Sequence, residues 1–246
     1  MEELVNKITT IHSLQAVRNK FRKSMLRCIL LENLSMDIYS ETHHTRNKIA
    51  WLYQETFMDL DLYNHTYDFA CNIIKKSQPS ILDVGCGPWN ITAYLLSKNP
   101  SYNVMGTDIA PNMIDLAHKN NPTAEFVLMD TRNIATLHKS FDGIFCGFCM
   151  PYLSLTDCRV LIDDCYWLLD SWGFLYISFV EWDSHLSGYK TSSSWHRLYF
   201  YFHTSKVIKK YLTDSKFEIL KTYNIPYQKS VWPDEVHTVI IAKKAD

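Results

Sequence analysis

The sequence predicts the α/β class, a mostly parallel sheet wrapped by helices behind a helical N-terminal segment. Three observations carry that expectation. From Pro79 onward short apolar runs alternate with helix-period stretches; a strand, a glycine turn and a helix start succeed one another within residues 81–92; and aspartates recur at the ends of the first three strands.

Taken in order, residues 1–35 place Leu4, Ile8, Ile11, Leu14, Val17, Phe21, Met25 and Cys28 at three- and four-residue steps, with Arg18, Lys20, Arg22, Lys23 and Arg27 between them. That is the pattern of a basic amphipathic helix. Met36 opens a stretch that reads like a natural beginning, so residues 1–35 are expected to be a dispensable extension. Residues 36–78 form a helical cap, in which Ile49, Leu52, Tyr53, Phe57, Leu60, Leu62, Tyr67, Phe69 and Ile73 are spread over about two helices.

Residues 79–246 form the main domain. Ile81, Leu82 and Val84 form an apolar run ending in glycines, as in a strand buried on both faces. Further strands are expected at Tyr102–Thr107, Ala124–Met129, Phe141–Phe145, Phe174–Val180, Phe217–Tyr223 and His237–Ala242, with helices at Ile91–Lys98, Asn112–Lys119, Arg159–Leu169 and Ser205–Thr213. Such alternation implies right-handed crossovers. The polar, Ser- and Thr-rich stretch Glu181–His196 interrupts it and reads as a functional loop or lid.

The chain has 246 residues, 47% of them hydrophobic, enough for one well-cored domain with a helical attachment. Its 25 basic and 26 acidic residues leave a net charge of -1, which argues against a surface that neutralises many phosphates, so nucleic acid is not an expected partner. Seven cysteines, an odd number without a leader-like N-terminus, suit a reducing, cytoplasmic setting. No run approaches the roughly 20 apolar residues of a membrane span. Cys146-Gly147-Phe148-Cys149 has zinc-like spacing but lacks a second ligand pair, so no metal is expected.

Ile81-Leu82-Asp83-Val84-Gly85-Cys86-Gly87-Pro88-Trp89-Asn90-Ile91-Thr92 is the informative segment. Its glycines let backbone approach a ligand, and its helix start offers unsatisfied N–H groups. Asp83, two residues before Gly85, suits a cationic amino group and would repel a pyrophosphate. Asp108 ends the next strand, where a carboxylate meets ribose hydroxyls. Asp130, followed by Thr131, ends the third. All three reach the carboxyl edge of the sheet, where open α/β folds bind ligands.

Asp83-Val84-Gly85-Cys86-Gly87, Gly106-Thr107-Asp108-Ile109 and Met129-Asp130-Thr131 resemble the class I S-adenosylmethionine-dependent methyltransferases, from about Arg46 to the C-terminus. The tyrosine-rich segment Tyr53–Asn64 resembles the cap helices of the small-molecule branch. The resemblance implies a Rossmann-like seven-stranded sheet with helices on both faces and an antiparallel last strand. It further implies methyl transfer from S-adenosylmethionine to a small-molecule acceptor. By resemblance Asp83, Gly85, Cys86 and Gly87 face the methionine part of the cofactor, Asp108 holds the ribose, and Asp130 with Thr131 binds the adenine amino group. Ile109 and Met113 would flank the adenine, and Cys146 would line the pocket.

For a hydroxyl acceptor a histidine is the natural base, and His203, after Tyr199-Phe200-Tyr201-Phe202, is the candidate. Tyr53, Phe148, Tyr152 and Tyr201 are candidate walls of a substrate pocket. The acceptor atom and the oligomeric state are written in no motif. Trp89 departs from the family pattern, which has a third glycine there; its indole would fill the space for the cofactor's amino-acid part, and a non-catalytic binding protein is the alternative. Trp172, Trp182 and Trp195 also stand where related sequences carry glycine, and the chain has seven glycines against seven tryptophans. Some of these positions are therefore expected to be glycines encoded by a codon read as tryptophan. A nicotinamide-dependent oxidoreductase would want glycine at Asn90 and no carboxylate at Asp83.

Overall fold

Apolar runs become the strands of one main sheet, the first of them, Ile81–Val84, set between Pro79 and Gly85. The computed structural model describes residues 38–57, 60–191, 196–228 and 235–245; the basic stretch 1–35 and Trp195 lie outside the described residues. The chain divides into two units, Met1–Glu41 and Thr42–Asp246. Of the first, residues 38–41 are described and helical. The second holds everything that follows.

In chain order its main sheet comprises β1 (Ser80–Val84), β2 (Asn103–Asp108), β3 (Glu125–Leu128), β4 (Phe141–Cys146), β5 (Leu169–Glu181), β8 (Phe217–Tyr227) and β9 (Glu235–Lys244), with β6 (Gly188–Thr191) and β7 (Arg197–Phe200) forming a separate hairpin. The sheet order is β3-β2-β1-β4-β5-β9-β8. The first five strands run parallel, and β9 is antiparallel to both β5 and β8. The helices are α1 (Ala50–Phe57), α2 (Asn64–Ile73), α3 (Asn90–Lys98), α4 (Pro111–Asn120), α5 (Leu155–Leu168) and α6 (Ser205–Asp214). This is the Rossmann-like sheet with an antiparallel terminal strand that the sequence led us to expect. Its order reverses between β1 and β4, which opens a crevice at the carboxyl edge.

The core explains the missing alternation in the central strands. Ile81, Leu82 and Val84 of β1, Ile144 and Phe145 of β4, and Leu175, Tyr176 and Ile177 of β5 are all buried, because helices cover both faces of a parallel sheet. Each such side chain contributes about 1.5–3 kcal/mol of burial. The helical cap is tied down by polar contacts: Asn112 N–H donates to Asn47 Oδ1 at 2.8 Å, and Asn90 Nδ2 donates to the carbonyl of Phe57. Among the described residues no helix is long and apolar enough to cross a membrane.

Three elements differ from the sequence reading. α5 begins at Leu155 rather than Arg159, capped by Ser154, whose Oγ accepts the Asp157 N–H at 3.1 Å. β5 begins at Leu169, but its pairing passes from Phe141↔Leu169 to Gly143↔Phe174, so that Asp170–Gly173 stand out from the ladder. Within the polar stretch 181–196 the chain makes a 3-10 turn at Ser184–Leu186 and then enters β6, whose partner β7 begins at Arg197.

Candidate functional site

The turn after β1 works because two of its residues are left-handed. Gly85 has φ +67° and Gly87 φ +56°, conformations that a side chain disfavours. A Cβ on Gly85 would also sit 3.0 Å from Cys149 Cβ. The turn is pinned to the second strand, since Cys86 N–H donates to the Thr107 carbonyl at 2.9 Å and Gly87 N–H to Asp108 Oδ2 at 3.0 Å.

Three carboxylates differ sharply along this edge. Asp83 is buried; Oδ2 accepts from Thr92 Oγ1 at 2.8 Å while Oδ1 has no partner. Burial pushes its pKa up to about 7, with Thr92 pulling the other way. Asp108 accepts from Ala110 N–H at 2.8 Å as well as from Gly87, and burial holds its pKa above the ordinary value. At Asp130 burial also pushes upward, but the guanidinium of Arg132, with Nη2 at 2.5 Å from Oδ2, brings the carboxyl below its ordinary value.

These groups open onto a cavity of about 700 Å³, within the size range of small-molecule sites. Toward β1, β2 and β3 it is lined by Asp83, Gly85, Cys86, Gly87, Asp108, Ile109, Asp130 and Thr131. Toward β4, β5 and β9 the lining is aromatic, with Tyr63, Tyr67, Phe148, Tyr227 and His237, joined by Val180 and Glu235. Tyr53, Tyr152 and Arg46 also line it, the guanidinium of Arg46 lying 4.2 Å and 4.8 Å from the two ring centres. Phe148 is left-handed at φ 55° and is held there by its N–H, which donates to Ser178 Oγ at 2.9 Å.

Of the residues singled out from sequence, Asp83, Gly85, Cys86, Gly87, Asp108, Ile109, Asp130, Thr131, Tyr53, Phe148 and Tyr152 thus meet at one cavity. Four do not line it. Met113 is buried against Ala50 and Ala110, and Cys146 is wholly buried one residue before Gly147, which does reach the cavity. Tyr201 stacks on His203 at 6.4 Å. His203 is 1% exposed, its Nε2 is 2.9 Å from the Met150 carbonyl, and its backbone is bridged to Glu181. Burial keeps its pKa below the ordinary histidine value, so it is a neutral packed imidazole. The histidines that line the cavity are His43, from the helical cap, and His237, on β9. Sequence reasoning also passed over Arg46 and Glu235; Tyr63 lay inside a segment already marked by its tyrosines.

Trp89 occupies a position that asks for glycine, at φ 113° and ψ 9°, directly before α3. Its indole packs against the cluster of Cys86, Ile114, Ala117 and Phe126 while bordering the cavity. Its Nε1 is buried without a partner.

Residues 81–173 match the family model of a methyltransferase domain. Demethylmenaquinone methyltransferase of Thermotoga maritima is 27% identical over 105 residues, covering 43% of this chain and 45% of that protein. Trans-aconitate 2-methyltransferase of Enterobacter sp. is 38% identical over 71 residues, 29% of this chain and 28% of that one. The matched stretch spans less than half the length of either curated relative. Among solved structures, the Burkholderia thailandensis 1,6-didemethyltoxoflavin-N1-methyltransferase, with 1,6-didemethyltoxoflavin and S-adenosylhomocysteine bound, superposes with a TM-score of 0.61 at 20% identity, covering 87% of this chain and 88% of that one. Residues 81–173 therefore match a methyltransferase domain, carried on a fold shared with that S-adenosylhomocysteine-bound methyltransferase.

Proposed function

We propose that this chain transfers a methyl group from S-adenosylmethionine to a small-molecule acceptor in a reducing, cytoplasmic setting. The observation that carries the reading is the unpartnered, buried Oδ1 of Asp83 beside a glycine turn that leaves backbone bare. An orphaned carboxylate oxygen is costly unless a donor meets it, and the amino group of the cofactor's methionine part is such a donor. Asp108 would take the ribose hydroxyls with lone pairs that its backbone donors leave open. At Asp130 both oxygens already accept from Arg132, so an adenine amino group would share that carboxylate. When bound, S-adenosylmethionine supplies an electrophilic methyl group on a sulfonium. The chain's own part is to align the acceptor with it and to exclude water, which the aromatic end of the cavity suits. The six cysteines of the described residues are free thiols, as a reducing compartment allows. The non-catalytic alternative is not favoured, because the Trp89 indole packs toward α4 and β3 and a cavity remains.

Calorimetric titration of S-adenosylmethionine and S-adenosylhomocysteine into the protein and into Trp89→Gly tests the reading. Binding by both forms is expected, with the glycine form the tighter. Binding by neither would overturn it.

A further inference from the structure

We propose that Tyr63, His237 and Glu235 form a proton-accepting relay at the acceptor end of the cavity, serving a flat hydroxyl compound such as a phenol or an enol. The inference rests on the methyltransferase reading and specifies its acceptor.

The three side chains line one wall although they come from α2's approach and from β9. Tyr63 Oη lies 2.5 Å from His237 Nδ1, and His237 Nε2 lies 3.4 Å from Glu235 Oε2. A carboxylate only accepts, so the proton on Nε2 points at Glu235 and Nδ1 is left as acceptor. Tyr63 then donates to Nδ1 and keeps its lone pairs for a donor on the cavity side. Burial holds the Tyr63 phenol well above its ordinary pKa, so a standing phenolate is not its resting form. It can take a proton only while passing its own to His237.

The surroundings select shape as well as chemistry. The Tyr227 ring stacks on the His237 imidazole at 4.6 Å and 16°, and Phe148 meets that imidazole edge-on at 4.9 Å. Phe148 also lies 5.2 Å from Tyr63. Parallel and edge-on rings of this kind favour a planar guest. The titratable groups facing His237 are Tyr63 from the cap, Tyr227 from β8 and Glu235 from its own strand; Glu181 on β5 is turned to the Ser205 N–H and Thr238 Oγ1.

Neutral amines attack through a lone pair and shed their proton afterwards, whereas a hydroxyl oxygen is a poor nucleophile until its proton leaves. As the acceptor oxygen bonds to the methyl carbon, the carbon–sulfur bond breaks and its electron pair goes to sulfur, cancelling the sulfonium charge. The acceptor's proton moves to Tyr63 Oη, and the proton of Tyr63 to His237 Nδ1. The resulting imidazolium rests against the Glu235 carboxylate. Tyr63 is the catalytic residue here, and His237 and Glu235 act through it as positioning residues.

The test uses the full chain and 4-nitrophenol, whose ionised form is coloured, with 4-nitroaniline as the amine counterpart. S-adenosylhomocysteine affinity is measured first in the protein and in Tyr63→Phe, His237→Asn and Glu235→Gln, since retained affinity shows an intact fold. With S-adenosylhomocysteine bound, 4-nitrophenol is expected to bind and to show its ionised spectrum at a pH where the free compound is neutral. Tyr63→Phe and His237→Asn should abolish that shift. With S-adenosylmethionine, formation of the methyl ether should fall roughly 100-fold in both variants, the scale of a lost general base. Glu235→Gln should move the alkaline pH profile rather than remove activity. Methyl ether formed equally by all variants, a bound but neutral probe, no bound probe, or preferential methylation of the aniline would each overturn the relay. Failure of every form to bind S-adenosylhomocysteine would overturn the methyltransferase reading and the relay with it.

Discussion

Asp83 is a carboxylic acid whose charge depends on what meets it. With a folded-state pKa of about 7 against an ordinary 3.8, the folded chain keeps a proton that the unfolded chain has released. Stability therefore falls as pH rises between those two values and is lowest above about 7. Melting curves across that window should slope downward for the protein and flatten for Asp83→Asn. A ligand ammonium reverses the preference, so binding of S-adenosylhomocysteine at mildly acid pH should release a proton. Calorimetry in buffers of different ionisation enthalpy would show this, and a buffer-independent heat would remove the ammonium from Asp83. Trp172 makes a second case at this scale: it is left-handed at φ 71° and 67% exposed, with the Lys243 ammonium 5.7 Å from its ring as one contact. Trp172→Gly should raise stability by about 1 kcal/mol, seen as a melting temperature roughly 2–4 °C higher. For Trp89→Gly the relief of strain is offset by a hole beside Phe126 and Ile114. Trp182 needs no such freedom and lies against Phe202 at 6.2 Å. Peptide masses from the source organism decide whether positions 89 and 172 carry tryptophan or glycine, and tryptophan at both would end the codon explanation. Asp83, Asp108 and Asp130 were legible in the sequence because each stands beside a strand end that its neighbours mark. His237 was not, since only the docking of β9 beside β5 carries it to the carboxyl edge, and a strand histidine has no local signature.

The N-terminus of α5 shows how far an apolar pattern can be followed. Its buried face, Cys158, Leu161, Ile162 and Cys165, is periodic and easily read, but the first turn before it is written in Ser154 and Asp157. Ser154→Ala should cost about 1 kcal/mol through loss of the cap, measurable as a lower urea midpoint with an unchanged slope. The β6–β7 hairpin was illegible for a different reason. Its segments Gly-Tyr-Lys-Thr and Arg-Leu-Tyr-Phe are four residues each, short enough that polar composition masks the alternation of a strand. Tyr189 and Tyr199, paired across the hairpin with ring centres 5.2 Å apart, supply the cross-strand contact that holds it.

Across the whole molecule the α/β layering was readable because helix and strand periods alternate so regularly, while the shape of the cavity was not, because it arises where the cap, the turn after β4 and β9 converge. The sheet order also bears on how the chain acquires its structure. β9 is the last strand in sequence yet lies between β5 and β8, so β5 has a bare edge until residues 235–244 arrive. Pairings that span so much chain are entropically slow, and an unpaired strand edge recruits neighbouring chains. Chains stopped at residue 228 should aggregate rather than fold, and refolding should be retarded at high protein concentration. A soluble, cooperatively melting product from such a truncation would contradict this. The strand that brings His237 to the cavity is also the one that closes the sheet, so a chain that has not finished folding has no acceptor wall.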